Sequence, residues 1–157
     1  MNMLTTYDIN PNTAALLPVK HLDYCTLIIE TNGSYYINQP SLTLIKEACL
    51  KGYSTYEGRR EAVRHYTGFH QKVPIPINPY QNIYAFPTQS PHQFECCWLF
   101  PTHIQSIKPT SNSKGSIVTF KNKKTITLSQ SASTLRKQMQ RTAFFTMLLH
   151  ETRSFQN

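Results

Sequence analysis

The sequence predicts an α+β fold: mostly antiparallel β-sheet, two short central helices and one longer C-terminal helix packed on the sheet. Three observations predict it. Asn32-Gly33, a strong hairpin turn signal, falls between two apolar runs near the N-terminus. "SIVTF", "KNKK" and "TITLS" make a second hairpin, with Val118 and Phe120 on one side and Ile126 and Leu128 sharing a side in the return strand. Leu135, Met139, Thr142, Thr146 and Leu149 lie on one helical stripe, which Phe145 and Leu148 widen.

The elements follow in order. "TAALLPV", "YCTLIIE" and "SYYIN" read as strands. A helix spans about 42–51: Leu42, Ile45 and Cys49 share a face, Ser41 is placed to cap the first amides, and Gly52 ends it. "STYEGRREAVRHYTG" is a second helix or a turn leading into one, with Ser54 and Glu57 spaced as a capping box. Gly58 inside it costs roughly 1 kcal/mol against alanine. Pro74, Pro76 and Pro79 then force an extended path. "NIYAFP" is a strand, "QSPHQFE" a loop, and "CWLF" and "HIQSIK" are strands broken by Pro101. "SNSKG" is a loop before the lysine-tipped hairpin, and the last helix runs over about 133–153. At 157 residues the chain reads as a single domain, 1–157.

Several function classes fall away. No stretch approaches 18 apolar residues and no apolar run follows "MNMLTTYDIN", so neither secretion nor a membrane partner is expected. Cys25, Cys49, Cys96 and Cys97 show no C-x-x-C spacing and read as reduced thiols of a cytoplasmic protein. Cys96, Cys97, His92 and His103 match no standard zinc spacing, so no metal or cofactor is expected. Phosphate-loop, dinucleotide, zincin and nucleophile-elbow motifs are all missing. With eight Asp/Glu in the chain, paired-carboxylate catalysis has little material, and the protein reads as a non-enzyme.

Charge is more informative. Residues 1–95 carry seven Lys/Arg and seven Asp/Glu, whereas residues 96–150 carry eight Lys/Arg and no acid. A solvated surface mixes signs, so this segregation points to a polyanion, nucleic acid first and anionic lipid second. The candidate contacts are Lys121, Lys123 and Lys124 at the hairpin tip, then Arg136 and Lys137 in the first turn of the last helix, with Arg141 one turn further on. A helix N-terminus flanked by cations suits a phosphate, and the few residues between tip and helix suggest one patch. Arg59 and Arg60 either pair with Glu57 and Glu61 or touch the partner. Lys72 stands among prolines that fix its path, which suits a positioned contact. Tyr35, Tyr36, Tyr53, Tyr56 and Tyr66 read mainly as packing residues rather than a stacking platform.

The segment "YEGRREAVRHYTGFHQKVPIPINPYQNIYAFPT" carries a longer pattern. Tyr56, Gly58, Arg59, Arg60, Thr67, Gly68, Lys72, Pro74, Ile75, Phe86, Pro87 and Thr88 are spaced as in the ComK competence transcription factors of Gram-positive bacteria. Trp98, "HIQSIK", "VTFKNKKTITLS" and "RKQMQRTAFF" continue it, and the chain resembles that family over about residues 24–146. It departs at Val73, where the family has a proline, and at Asn122-Lys123, where relatives tend to have Asn-Gly. A lysine at positive φ costs on the order of 1 kcal/mol, so the turn is expected to differ in type. The resemblance implies a DNA-binding activator of competence genes, nucleoid-associated, reading paired A/T-rich boxes mainly through the minor groove. It also implies homodimers that assemble further. A Clp protease adaptor is a further implied partner, reading a tail that in longer relatives extends past the position of Asn157. A nonspecific nucleic-acid or RNA-binding module using the same basic third is the alternative.

Overall fold

The computed structural model describes residues 2–156, with side chains through Glu151. A seven-stranded sheet forms the middle layer. Its strands are β1 (Met3–Leu4), β2 (Thr13–Pro18), β3 (Thr26–Glu30), β4 (Gly33–Ile37), β5 (Ile75–Asn78), β6 (Ile83–Pro87) and β7 (Trp98–Leu99). They lie in the order β1-β4-β3-β2-β7-β6-β5, with β1 parallel to β4 and every other pair antiparallel. Helices α1 (Ser41–Lys51) and α2 (Tyr56–Thr67) cover one face. The other face meets a three-stranded antiparallel sheet, β8 (Ile104–Pro109), β9 (Ser116–Phe120) and β10 (Thr125–Leu128), together with α3 (Ala132–Gln156).

Neighbouring strand residues therefore enter different cores. Leu16, Ile28, Ala85 and Trp98 pack with Leu44, Ile45 and Tyr56 from the helices. Their neighbours Ala15, Ile29, Phe86 and Leu99 pack with Ile107, Val118, Phe120 and Leu135. Burial on both faces is why these strands read as continuous apolar runs rather than as alternation. The α+β expectation and the central strands and helices are borne out.

Local details differ. Pro40 holds the cap position of α1 and makes no side-chain cap bond; Ser41 is the first helical residue, its Oγ 3.4 Å from Thr26 Oγ1. The cap of α2 is Thr55 rather than Ser54: its hydroxyl accepts from the Gly58 amide at 2.9 Å. Gly58 makes room for this, since a Cβ there would lie 2.9 Å from Thr55 Oγ1. In the first hairpin, Gly33 pairs with Glu30, so Thr31 and Asn32 form the turn.

The lysine-tipped turn keeps the positive φ that a change of turn type was expected to avoid. Lys123 N donates to Phe120 O and Phe120 N donates to Lys124 O, both at 2.9 Å, while Lys123 sits at φ 75°. This is a three-residue loop whose last residue takes the left-handed position, so the strand register survives without Asn-Gly.

Candidate nucleic-acid interface

The candidate cations divide into four settings. At the hairpin tip, Lys121, Lys123 and Lys124 are all exposed. Lys123 Nζ donates to Gln105 Oε1 and Lys124 Nζ to Ser34 Oγ, each at 2.9 Å. Asn122 Nδ2 donates to Thr31 O at 3.1 Å, which pins the tip against the β3–β4 turn.

The start of α3 lies elsewhere. β10 carries the chain about 14 Å away from the tip before the helix begins. The tip sits at the end of the large sheet where Glu30 pairs with Gly33. Gln138 of α3 bonds Pro87 O at the C-terminal end of β6, where Pro87 pairs with Trp98. Arg136 nevertheless meets β8 at Ile107, two residues from the Gln105 that Lys123 meets, so it stays near the tip while its neighbour Lys137 does not. Arg136 and Lys137 also lie in the second turn rather than the first, because α3 starts at Ala132. Ser131 caps it, accepting from the Thr134 amide at 3.1 Å. Arg136 is exposed and reaches Ile107 O at 2.5 Å, so it points along β8.

Lys137 and Arg141 turn to a different neighbour. With Phe69, Gln71, Lys72 and Gln138 they line an open groove of about 670 Å³ between α3 and the segment leaving α2. Arg141 donates to Gln138 Oε1 at 2.6 Å and to Gln71 O at 2.9 Å, and its guanidinium lies 4.2 Å from the centre of the Phe69 ring. Partial burial moves its pKa down from the ordinary arginine value. Lys72 is half-buried at φ 50°. Its carbonyl accepts from Gln138 Nε2 at 2.8 Å. The structure therefore joins Lys72 of the proline segment to two cations some 65 residues later.

Arg59 and Arg60 take the fourth setting. Arg59 turns inward and donates to Gly52 O at 2.9 Å, tying α2 to the end of α1. Arg60 stays half-exposed beside Tyr56. Burial raises the Tyr56 pKa and the Arg60 charge opposes that rise. Neither arginine pairs with Glu57, which meets Lys46 at 3.6 Å instead.

The sequence reading missed Gln138, 2% exposed, and the Phe69 ring. A signal for Gln138 existed: it occupies a core position between Leu135 and Thr142 on the buried stripe of α3, where a polar side chain must find partners. As for other chemistry, His103 bonds Pro11 O at 2.7 Å, far along the sheet from Cys96 and Cys97, and no group of three metal-ligating side chains occurs among the described residues. No helix among them is long and apolar enough to cross a membrane.

The ComK protein family model matches residues 4–154. The chain belongs to the ComK family. It is 33% identical over 143 residues to the competence transcription factor of Bacillus subtilis (strain 168), an overlap covering 90% of this chain and 73% of that protein. No solved structure matches it. The matched span takes in all three helices up to residue 154, so the α3 groove and the hairpin tip both belong to the ComK region.

Proposed function

We propose that the chain is a ComK-type transcription factor that binds double-stranded DNA and activates competence genes. It selects A/T-rich boxes mainly through the minor groove. The observation that carries this reading is the basic last third: eight cations and no acid over residues 96–150, in a chain of this family. A narrow A/T-rich minor groove concentrates negative potential and attracts inserted Arg and Lys. Basic groups at the hairpin tip and in the α3 groove suit an extended polyanion. Dimers that assemble further fit the same reading, and Phe144 (43% exposed) and Met147 (52%) give α3 an outward apolar surface for a second copy.

Binding of an A/T-box duplex and a G/C-rich duplex of equal length, titrated over salt, tests it. The A/T duplex binds more tightly, and log K falls linearly with log salt by roughly 0.9 per phosphate neutralised. Lys121→Glu lowers affinity for both. A minor-groove competitor displaces the protein and a major-groove competitor does not. Equal affinity for the two duplexes rules out sequence selection. Preference for RNA in direct competition establishes the nonspecific module instead.

A further inference from the structure

The groove beside α3 has the construction of a site. Three cations converge on it from two segments, and no carboxylate lines it among the described residues. Like charges gathered without a counter-ion repel, so the arrangement favours an anion. Neutral groups fix the cations and leave their charge uncompensated. Arg141 uses two of its five N–H donors on Gln138 and Gln71 and rests on Phe69, which leaves three donors for a ligand. Gln138 is the hub: one buried amide holds Lys72 O, Pro87 O and the Arg141 guanidinium together. Its bond to Lys72 O also braces a lysine at φ 50°, a left-handed backbone that costs a non-glycine residue energy. Ser133 adds an exposed hydroxyl on the α3 rim.

We infer that this groove is a phosphate clamp, in which Lys72, Lys137 and Arg141 hold one tetrahedral phosphate and Gln138 is the positioning residue that assembles them. The inference rests on the DNA-binding reading for the source of that phosphate, a backbone phosphodiester rather than free phosphate. Arg141 offers a planar fork to two oxygens, and the two lysines supply point charges.

The test uses the full chain with Lys72→Asn, Lys137→Gln and Arg141→Lys. Asparagine tolerates the left-handed backbone at position 72, and Lys137 is exposed on a helix, so both variants keep the fold; circular dichroism checks this. One arm measures duplex affinity over salt. Lys72→Asn and Lys137→Gln each make the slope of log K against log salt shallower, by up to about 0.9 for the one phosphate they share, equally on A/T and G/C duplexes. Arg141→Lys keeps the slope and weakens binding several-fold. The other arm titrates inorganic phosphate at constant ionic strength and follows backbone amide shifts at residues 69–72 and 133–138. Those shifts occur in the parent chain and vanish in the two charge-removing variants.

The outcomes separate the two ideas. A parent chain that binds duplex, with slopes unchanged in the variants and no phosphate response, overturns the clamp and leaves DNA binding standing. A chain that binds no duplex but shows the variant-sensitive phosphate response keeps the clamp for a free anion and removes the DNA reading. The same phosphate response beside unchanged duplex slopes also assigns the clamp to a free anion. Loss of slope without a phosphate response assigns it to phosphodiester alone. Silence in both arms removes both ideas.

Discussion

Replacing Gln138 by alanine removes the joint between α3, the segment leaving α2 and β6 of the large sheet. Its amide donates to Lys72 O at 2.8 Å and Pro87 O at 3.0 Å, and its oxygen accepts from Arg141 at 2.6 Å. The side chain is 2% exposed, so water does not readily replace these bonds. Two neutral hydrogen bonds at about 1 kcal/mol each and one to a charged group at about 2 give a loss of ~4 kcal/mol. Against a domain stability of about 5–15 kcal/mol that is a large fraction. Trp98, the single tryptophan, is 1% exposed and reports the transition by fluorescence. In urea the midpoint falls with an unchanged slope, and the melting temperature drops by ~8–16 °C at about 2–4 °C per kcal/mol. Gln138→Glu keeps the acceptor for Arg141 but turns a carboxylate toward two carbonyl oxygens. It is therefore destabilised at neutral pH and recovers part of the loss when acid restores one donor. A loss below 1 kcal/mol in Gln138→Ala refutes the hub assignment.

Three further outcomes follow from local geometry. Gly68 ends α2 at φ 78° with nothing within 4 Å of an added Cβ, so Gly68→Ala costs only the left-handed backbone, about 1–2 kcal/mol by urea denaturation. Lys123→Gly relieves the same strain at φ 75°; it gives up an exposed bond to Gln105 and still stabilises by roughly 0.5–1 kcal/mol while weakening duplex binding. Burial pushes the Cys97 thiol up to about 12 and the Cys49 thiol up to about 11, against an ordinary 9.0. The unfolded chain sheds these protons above pH 9 while the folded chain keeps them, so stability falls as pH rises from 9 toward 12. A thiol reagent at neutral pH accordingly modifies Cys25, the one cysteine that is not buried, before the other three. Alkaline denaturation midpoints and mass spectrometry of the labelled chain check both points.

The sequence by itself determined the elements. Strand runs, the α1 and α3 stripes and the Lys121–Lys124 hairpin are local patterns, and a pattern with a period of two or 3.6 residues needs no tertiary information to be read. It also determined the charge segregation and the family, since both are properties of residue order. Caps came out one residue off: Ser41 and Ser54 were expected, but Pro40 and Thr55 hold the positions, because which backbone turns first is not written in the hydroxyls. What only the tertiary structure decided was which cations meet. Arg136 and Lys137 are adjacent yet part company: Arg136 reaches Ile107 O on β8, whereas Lys137 turns into the groove beside Lys72. Lys72 and Arg141 are 69 positions apart yet line one groove, because α3 packs on β6 and its Gln138 bonds both Pro87 O and Lys72 O. Arg59 likewise reads as a surface charge until the end of α1 offers it a carbonyl. Proximity in space follows strand order and layer packing, which are set by long-range burial rather than by any local pattern.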